Sequence, residues 1–150
     1  MIAWKNIIIH HSVTPIEFPV DGIRQYHIAQ RGYKDIAYHY LIKKLGSAYE
    51  VVVGRPINMA GAHCIGRNSD SIGICVVGNY EEEAPEQRAM VTLISFCASL
   101  CDQHKIPFEH IYPHNHFAKT ACPGKHIDVE RIRCAVASEL SSKALSKENA

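Results

Sequence analysis

The chain has 150 residues, of which 47% are hydrophobic and 21% charged, a balance typical of one globular domain. The formal net charge is +1 with neutral histidines, which gives no electrostatic reason to expect a nucleic-acid or anionic-lipid partner. No apolar run approaches the roughly 20 residues that cross a bilayer, and the opening MIAWKN lacks a signal-peptide pattern, so we expect cytoplasmic synthesis without membrane insertion.

The first elements predicted are a strand and a helix. Residues 6–10 (NIIIH) form a short aliphatic and β-branched run, which is typical of a buried strand. After a proline-containing loop, Asp21 is placed to cap a helix over residues 22–31, which Gly32 ends.

The middle of the chain predicts a hairpin, a long loop and a third buried run. Residues 36–44 and 48–54 read as two strands, and LGS between them supplies a turn. Residues 54–71 are polar and glycine-rich, and loops of this length in compact domains are often functional. Residues 72–79 (IGICVVGN) predict another buried strand.

The last third of the chain predicts two helices around a short strand. Residues 84–105 carry apolar side chains at helical spacing, and Pro107 follows their end. Residues 110–114 predict a short strand, and Asp128 is placed to cap a helix over residues 128–140.

Strands and helices alternate without a repeat or a linker, so we predict a single α/β domain with a central mixed β-sheet flanked by helices. We assign residues 1–138 to this domain and residues 139–150 to a polar C-terminal tail, which we expect to be frayed. A monomer is the default for a chain of this size.

The six cysteines are expected to be free thiols, because no export signal is apparent. Cys97 and Cys101 lie on one helix face, with His104 nearby, and we favour a buried core stripe there over a second metal site.

Histidine and cysteine side chains gather in two segments that can carry chemistry. His10 and His11 end the first predicted strand, and His114 precedes Cys122 by eight residues in a loop. Two imidazoles and a thiolate suit zinc, and catalytic zinc takes three protein ligands and leaves a position for water. Successive strand side chains point to opposite faces, so His10 and His11 are not both expected to reach one ion. Spacing alone leaves open whether these residues bind metal at all.

Four motifs strengthen that hypothesis when they are taken together. The segments IIIHHS, DIAYHYLI, GAHCIGRNSDSIGICVVGNY and HNHFAKTACPG occur in this order. They resemble the zinc-dependent N-acetylmuramoyl-L-alanine amidase and peptidoglycan recognition protein superfamily. The chain looks most similar to the short phage amidase-type lysozymes, the endolysins. The resemblance covers residues 5–135 and implies the family's α/β fold.

The resemblance implies one zinc ion per chain and a set of ligands. Its first ligand follows the aliphatic run of the first strand, which is His10 here. The second ligand opens the loop before Cys-Pro-Gly, and the third is the cysteine of that tripeptide, so His114 and Cys122 take these roles. His11 stands at a variable position and is expected to pack or hydrogen-bond nearby.

Further site residues follow from the same resemblance. Tyr38 matches the family's active-site tyrosine, whose phenol can donate a hydrogen bond to a developing oxyanion. His63 and Asn68 match positions that line the substrate groove, although both can equally be loop residues that cap backbone groups. Arg55 in GRP is expected to help shape the groove.

The chain also departs from parts of the family pattern. Phage enzymes of this type often have lysine two residues before the cysteine ligand, where this chain has Thr120, with Lys119 as a rival one residue further away. Intracellular amidases that recycle anhydro-muropeptides carry glutamate where this chain has Cys75, and they use aspartate as the third ligand. Both differences argue against that branch and leave the general base open.

The resemblance therefore implies hydrolysis of the amide between N-acetylmuramic acid and L-alanine in bacterial peptidoglycan, by a phage or prophage endolysin. Such an enzyme reaches the wall once the membrane has been breached. Two alternatives remain at this point. One is a peptidoglycan-binding module without catalysis, although such relatives typically lose the cysteine or tyrosine that this chain keeps. The other is a thiol hydrolase with Cys122 as nucleophile and His114 as base.

Overall fold

A computed structural model describes residues 1–148 as a five-stranded mixed sheet with helices on both faces, which confirms the predicted fold class. The strands are β1 (Asn6–His11), β2 (Tyr40–Leu45), β3 (Ala48–Val53), β4 (Ser71–Val76) and β5 (Ile111–Pro113). The helices are α1 (Val20–Ala29), α2 (Gln87–His104) and α3 (Val129–Glu148), with single 3-10 turns at Phe108–His110 and His114–His116. None of these helices has the length and apolar character needed to span a bilayer.

The sheet has the order β3-β2-β4-β1-β5, and only β3 runs antiparallel to its neighbour. Two of the three inner strands, β4 and β1, are buried along their whole length. Their apolar, β-branched sequences suit this position, because parallel strands are covered on both faces. The register pairs Ile8 with Gly73 and His10 with Cys75, which sets the depth of the site described below.

The two faces of the sheet are covered differently. One face packs under α2 and α3 in a large apolar core that includes Ile7, Ile9 and Leu93. The other face carries a smaller apolar cluster against α1 and the loops, with Cys75 among its members. Cys97 and Cys101 are buried in the large core, as their helical spacing predicts. Because side chains alternate along a strand, His10 and His11 fall on opposite faces.

Two element boundaries differ from those predicted. The strand predicted over residues 36–44 begins only at Tyr40, because the carbonyls of Ile36 and Tyr38 accept hydrogen bonds from Arg55 instead of joining the ladder. The first helix begins at Val20 after Pro19, so Asp21 lies in its first turn and makes no capping hydrogen bond. A carboxylate in that turn still interacts favourably with the helix dipole.

The last helix is longer than predicted. Asp128 caps it as expected, since its carboxylate accepts from the backbone N–H of Arg131 at 3.3 Å. The helix then continues to Glu148, through residues predicted to be a frayed tail, with Leu140 packed on the core. No glycine or proline interrupts this stretch, so helical propensity can continue it. The division between residues 1–138 and 139–150 stays a prediction, and residues 149–150 lie outside the described part.

Candidate functional site

The candidate site lies at the edge of the sheet where parallel strands end. β1 ends at His11, and β5 ends at Pro113, directly before His114. The two strands are parallel neighbours, so their carboxyl ends bring His10 and His114 together. Their rings lie 4.5 Å apart between centroids. Binding sites in sheets of this kind commonly lie at the carboxyl ends of the strands.

The adjacent histidines of β1 do different things. His10 is 1% exposed, and its ring faces Tyr38, His63 and His114. His11 is on the other side of the strand, where its Nδ1 accepts from the backbone N–H of Tyr80 at 3.1 Å. His11 also donates its own backbone N–H to the Cys122 sulfur at 3.4 Å.

The loop over residues 114–122, here called the Cys122 loop, closes on itself and on the sheet. The backbone N–H of Asn115 donates to the Cys122 carbonyl at 3.0 Å, and the N–H of Cys122 donates to Thr120 Oγ1 at 3.2 Å. Gly124, just beyond the loop, has φ +98°, and a Cβ there would lie 2.4 Å from the Tyr80 backbone. Only glycine allows this approach, which holds Cys122 against the end of β1.

His10, His114 and Cys122 form a metal-binding geometry. One ligand atom from each lies within 4.8 Å of the others, and His10 Nδ1 is 3.6 Å from Cys122 Sγ. Zn–S and Zn–N bonds of about 2.3 and 2.0 Å at a tetrahedral angle place sulfur and nitrogen about 3.5 Å apart. The three residues therefore fit one zinc ion, with His10 buried and the other two half-buried at the cleft surface.

The electrostatic environment of these ligands also suits a cation. Burial lowers the pKa of His10 well below its ordinary value and lowers that of His114, so both imidazoles keep free lone pairs at neutral pH. Burial raises the pKa of the Cys122 thiol to about 11. Of the residues described, those lining the cleft include no carboxylate. A divalent cation would supply the positive charge that a Cys122 thiolate requires.

Tyr38 lies beside the three ligands. Its ring is 5.1 Å from that of His10 between centroids, and it lines the same cleft. Burial raises the pKa of Tyr38 well above its ordinary value, and the nearby thiols of Cys75 and Cys122 raise it further. The phenol therefore stays protonated and can donate a hydrogen bond next to the metal-binding geometry.

A cleft of about 600 Å³ runs outward from these residues, which is a volume suited to part of a large ligand. His10, His114, Cys122 and Tyr38 line one part of it. The remaining walls come from the loop after β1, from α1, from the segment that follows α1, from the loop between β3 and β4 through Ala62 and His63, and from Thr120.

Of the three predicted groove residues, only His63 lines the cleft. His63 is 6% exposed at the cleft wall, with Nδ1 2.9 Å from His10 Nε2. Asn68 accepts with one oxygen from the backbone N–H groups of His63 and Cys64 at 2.7 and 2.8 Å, and it does not line the cleft. Arg55 is buried, and its guanidinium donates to three carbonyls, those of Asp35, Ile36 and Ala60.

The two rivals next to the cysteine ligand are separated by the structure. Both residues are exposed, but Thr120 lines the cleft and Lys119 does not. The geometry thus brings Thr120 to the same cleft as His10, His114 and Cys122 and leaves the lysine outside.

Several cleft residues were not predicted from the sequence. Tyr26, Arg31 and Tyr33 line the cleft from α1 and the turn after it, with the Arg31 guanidinium 5.6 Å from the Tyr33 ring centroid. The close spacing of these aromatic and basic residues was the sequence signal that could have indicated them. Val13, also in the lining, has φ +56°, a rare conformation for a β-branched residue, and no sequence pattern marked it.

Known proteins resemble this chain in sequence. The sequence profile of the family described as N-acetylmuramoyl-L-alanine amidase matches residues 2–125. Peptidoglycan-recognition protein SC2 of Drosophila melanogaster is 33% identical over 109 residues, which cover 72% of this chain. The chain spans only 58% of that relative's length. The endolysin of Klebsiella phage KP32 is 31% identical over 124 residues, covering 79% of this chain and 80% of the endolysin.

Solved structures resemble it as well. The N-acetylmuramoyl-L-alanine amidase LysC from Clostridium intestinale URNW superposes with a TM-score of 0.82 at 30% identity, covering 91% of this chain and 87% of LysC. The family profile matches most of the chain, and the fold agrees with that of a solved amidase. This chain therefore belongs to the N-acetylmuramoyl-L-alanine amidase family.

Proposed function

We propose that this chain is a zinc-dependent N-acetylmuramoyl-L-alanine amidase that hydrolyses the amide between N-acetylmuramic acid and L-alanine in bacterial peptidoglycan. The observation that carries the proposal is the group of three ligand atoms from His10, His114 and Cys122, within 4.8 Å of one another beside a protonated Tyr38. Family membership supplies the substrate class.

The three ligands would hold one zinc ion. Zinc bound there would supply Lewis acidity to polarise the scissile carbonyl and to activate water as the nucleophile near neutral pH. The chain's own contribution is a rigid set of donors, because His10 belongs to an inner strand and the Cys122 loop is closed by its own hydrogen bonds.

Tyr38 is proposed to stabilise the oxyanion that develops when the amide carbonyl is attacked. Its raised pKa keeps the proton on the phenol oxygen, where it can be donated as a hydrogen bond rather than lost to solvent. Thr120, in the Cys122 loop, is proposed to help stabilise the same oxyanion, since Thr120 lines the cleft and Lys119 does not.

The cleft is proposed to hold the sugar and the stem peptide on either side of the scissile amide. A volume of about 600 Å³ accommodates a ligand of this kind only in part, so the remainder of a glycan strand would lie along the surface. Tyr26 and Tyr33 offer ring faces for apolar contacts in that cleft, and Arg31 offers a cation for a carboxylate.

The thiol-hydrolase alternative is disfavoured by the environment of Cys122. A nucleophilic cysteine needs a lowered pKa, and burial here raises the pKa of Cys122 to about 11. The pKa of His114 is lowered by burial as well, so an ion pair of thiolate and imidazolium gains no support from the surroundings.

A role as an endolysin is supported by the phage relative, which this chain matches over 80% of its length. We propose that the enzyme is made in the cytoplasm of a bacterium and acts on the wall after the membrane is permeabilised. A binding module without catalysis is the remaining alternative, and it gives no reason to keep Tyr38 and Cys122 together.

The proposal is tested by digesting purified sacculi with the protein and analysing the fragments by mass. An amidase releases free stem peptides and leaves glycan strands intact. Chelation should abolish this release, and added zinc should restore it. Glycan fragments with peptides still attached, or hydrolysis that survives chelation, would contradict the proposal. Cys134→Ser is a suitable control variant, because Cys134 is an exposed free thiol.

A further inference from the structure

His63 contacts the nitrogen of the His10 ring that lies away from the proposed metal site. His63 Nδ1 lies 2.9 Å from His10 Nε2, and His63 Nε2 lies 2.9 Å from the carbonyl oxygen of Ser71. The opposite nitrogen of His10, Nδ1, is the one 3.6 Å from Cys122 Sγ. A line of hydrogen bonds therefore runs from a backbone carbonyl through two imidazoles to the metal-binding geometry.

The hydrogen positions in this line follow from the acceptor at its end. A carbonyl oxygen can only accept, so the Ser71 carbonyl requires a proton on His63 Nε2. In neutral His63, Nδ1 is then an acceptor, and His10 must donate to it from Nε2. The remaining nitrogen of His10, Nδ1, is left with a free lone pair towards His114 and Cys122.

We infer that His63 is a positioning residue that holds His10 in the tautomer whose Nδ1 lone pair faces the metal site. This assigns His63 a role behind the ligand rather than at the substrate. The inference rests on the proposed metal site for its purpose, but the tautomer itself is a property of the metal-free chain. Metal-binding histidines commonly donate their second ring N–H to an oriented acceptor, and here that acceptor is another imidazole.

The chain is built to accept the His63 ring at this position. Gly61 and Gly73 flank the imidazole, and a Cβ on either glycine would lie within 2.6 Å of His63 Cδ2. Real Cβ atoms do not approach so closely, so any larger residue at either position displaces the ring. Asn68 fixes the backbone of His63 by accepting its N–H at 2.7 Å.

Charge on His63 is opposed by its surroundings. It is 6% exposed, and the described residues that line the cleft beside it include no carboxylate to pair with an imidazolium. Burial without a counter-charge therefore favours the neutral form that the hydrogen-bond line requires.

The first test measures tautomers directly by long-range 1H–15N NMR of the zinc-free protein, with a His10→Gln variant to assign the His10 signals. We expect His10 and His63 each to be a single neutral species protonated at Nε2. A His10 ring protonated at Nδ1, or an equal mixture, would overturn the inference. This measurement needs no substitution at His63, so it remains decisive if His63 variants fold poorly.

The second test measures zinc affinity by competition with a chelator. His63→Leu removes the acceptor, and we expect affinity to fall by roughly 10- to 100-fold. His63→Asn keeps an oxygen near the Nδ1 position and should recover most of the loss. His126→Gln, which changes an exposed histidine, serves as the control. Unchanged affinity in folded His63→Leu would contradict the inference.

The two proposals can fail separately. If the tautomers are as expected but sacculi are not cut, the proposed function fails and the role of His63 stands. If hydrolysis depends on zinc but His10 is protonated at Nδ1 in the metal-free chain, only the role of His63 fails.

Discussion

Two loops of this chain contain similar polar residues but orient them differently, one towards the cleft and the other towards the backbone. The Cys122 loop turns His114, Thr120 and Cys122 towards the cleft. The loop over residues 54–70, between β3 and β4, turns most of its polar atoms inward to the backbone. Both loops hold histidine, cysteine and asparagine, so composition alone does not tell them apart.

The two loops differ in the partners that their polar side-chain atoms have. In the loop over residues 54–70, Arg55 donates to three carbonyls and Asn68 accepts from two N–H groups, so these side chains are held against the backbone and do not line the cleft. In the Cys122 loop, the ligand atoms of His114 and Cys122 point at one another across a gap suited to a cation. The loop over residues 54–70 therefore mainly supports the site from behind, and the Cys122 loop contributes two of the three proposed ligands.

The largest effect is expected from the Cys122 loop. Cys122→Ser should lower zinc affinity by at least about 100-fold and abolish amide hydrolysis, because a hydroxyl is a far poorer zinc ligand than a thiolate. Zinc content after dialysis and release of stem peptides measure both effects. Cys134→Ser should change neither, and full hydrolysis by Cys122→Ser would reject the metal geometry described here.

Tyr38 lies outside both loops, and its substitution tests the chemistry next to the proposed metal site. Tyr38→Phe should lower kcat by about 10²- to 10³-fold, as expected for loss of one oxyanion donor, with zinc content unchanged. Tyr40→Phe is the matched control, because Tyr40 packs against Phe96 on the other face of the sheet. A Tyr38→Phe enzyme with full kcat would remove the phenol from the mechanism.

Substitution of Arg55 tests whether the loop over residues 54–70 stabilises the fold rather than binding substrate. Arg55→Met should lower the free energy of unfolding by about 3 kcal/mol, since three carbonyls lose a buried donor. Urea unfolding measures this, and the KM of the folded fraction should stay close to that of the parent. A raised KM with unchanged stability would instead place Arg55 in the groove.

Acid should unfold the zinc-free chain through its buried histidines. Folding lowers their pKa values below 6.5, so the unfolded chain binds more protons and stability falls as the pH drops below 6.5. For His63 the window extends down to about pH 3. Each such histidine contributes a slope of at most about 1.4 kcal/mol per pH unit. Urea titrations between pH 4 and 7 measure this, and a flat profile would contradict it.

The smallest expected effects on kcat distinguish the role of Thr120 from that of Lys119. Thr120→Val should lower kcat by about 10-fold, because it removes a hydroxyl that lines the cleft and accepts the Cys122 N–H. Lys119→Ala should change kcat less than about twofold, since the side chain is exposed outside the cleft. Initial rates on sacculi measure both, and the reverse order would favour Lys119.

Local patterns predicted the parts of the fold that depend on local sequence. The aliphatic run of β1, the hairpin of β2 and β3, and the spacing of α2 each appear in the structure near the predicted place. Burial of alternate residues and helical spacing operate over a few residues, so they can be read directly. The predicted start of β2 at residue 36 was wrong, because Arg55, which is distant in sequence, donates hydrogen bonds to the carbonyls of residues before Tyr40.

The sequence by itself determined that this chain forms a mixed α/β sheet, and its motifs singled out His10, His114 and Cys122. Only the tertiary structure decided which polar residues face the cleft and which face the backbone. His63, Asn68 and Arg55 were all expected at the groove, yet of the three only His63 lines the cleft. Their hydrogen bonds go to His10, to N–H groups and to carbonyls, respectively. The direction of a polar side chain depends on partners distant in sequence, and those partners meet only when the sheet has formed.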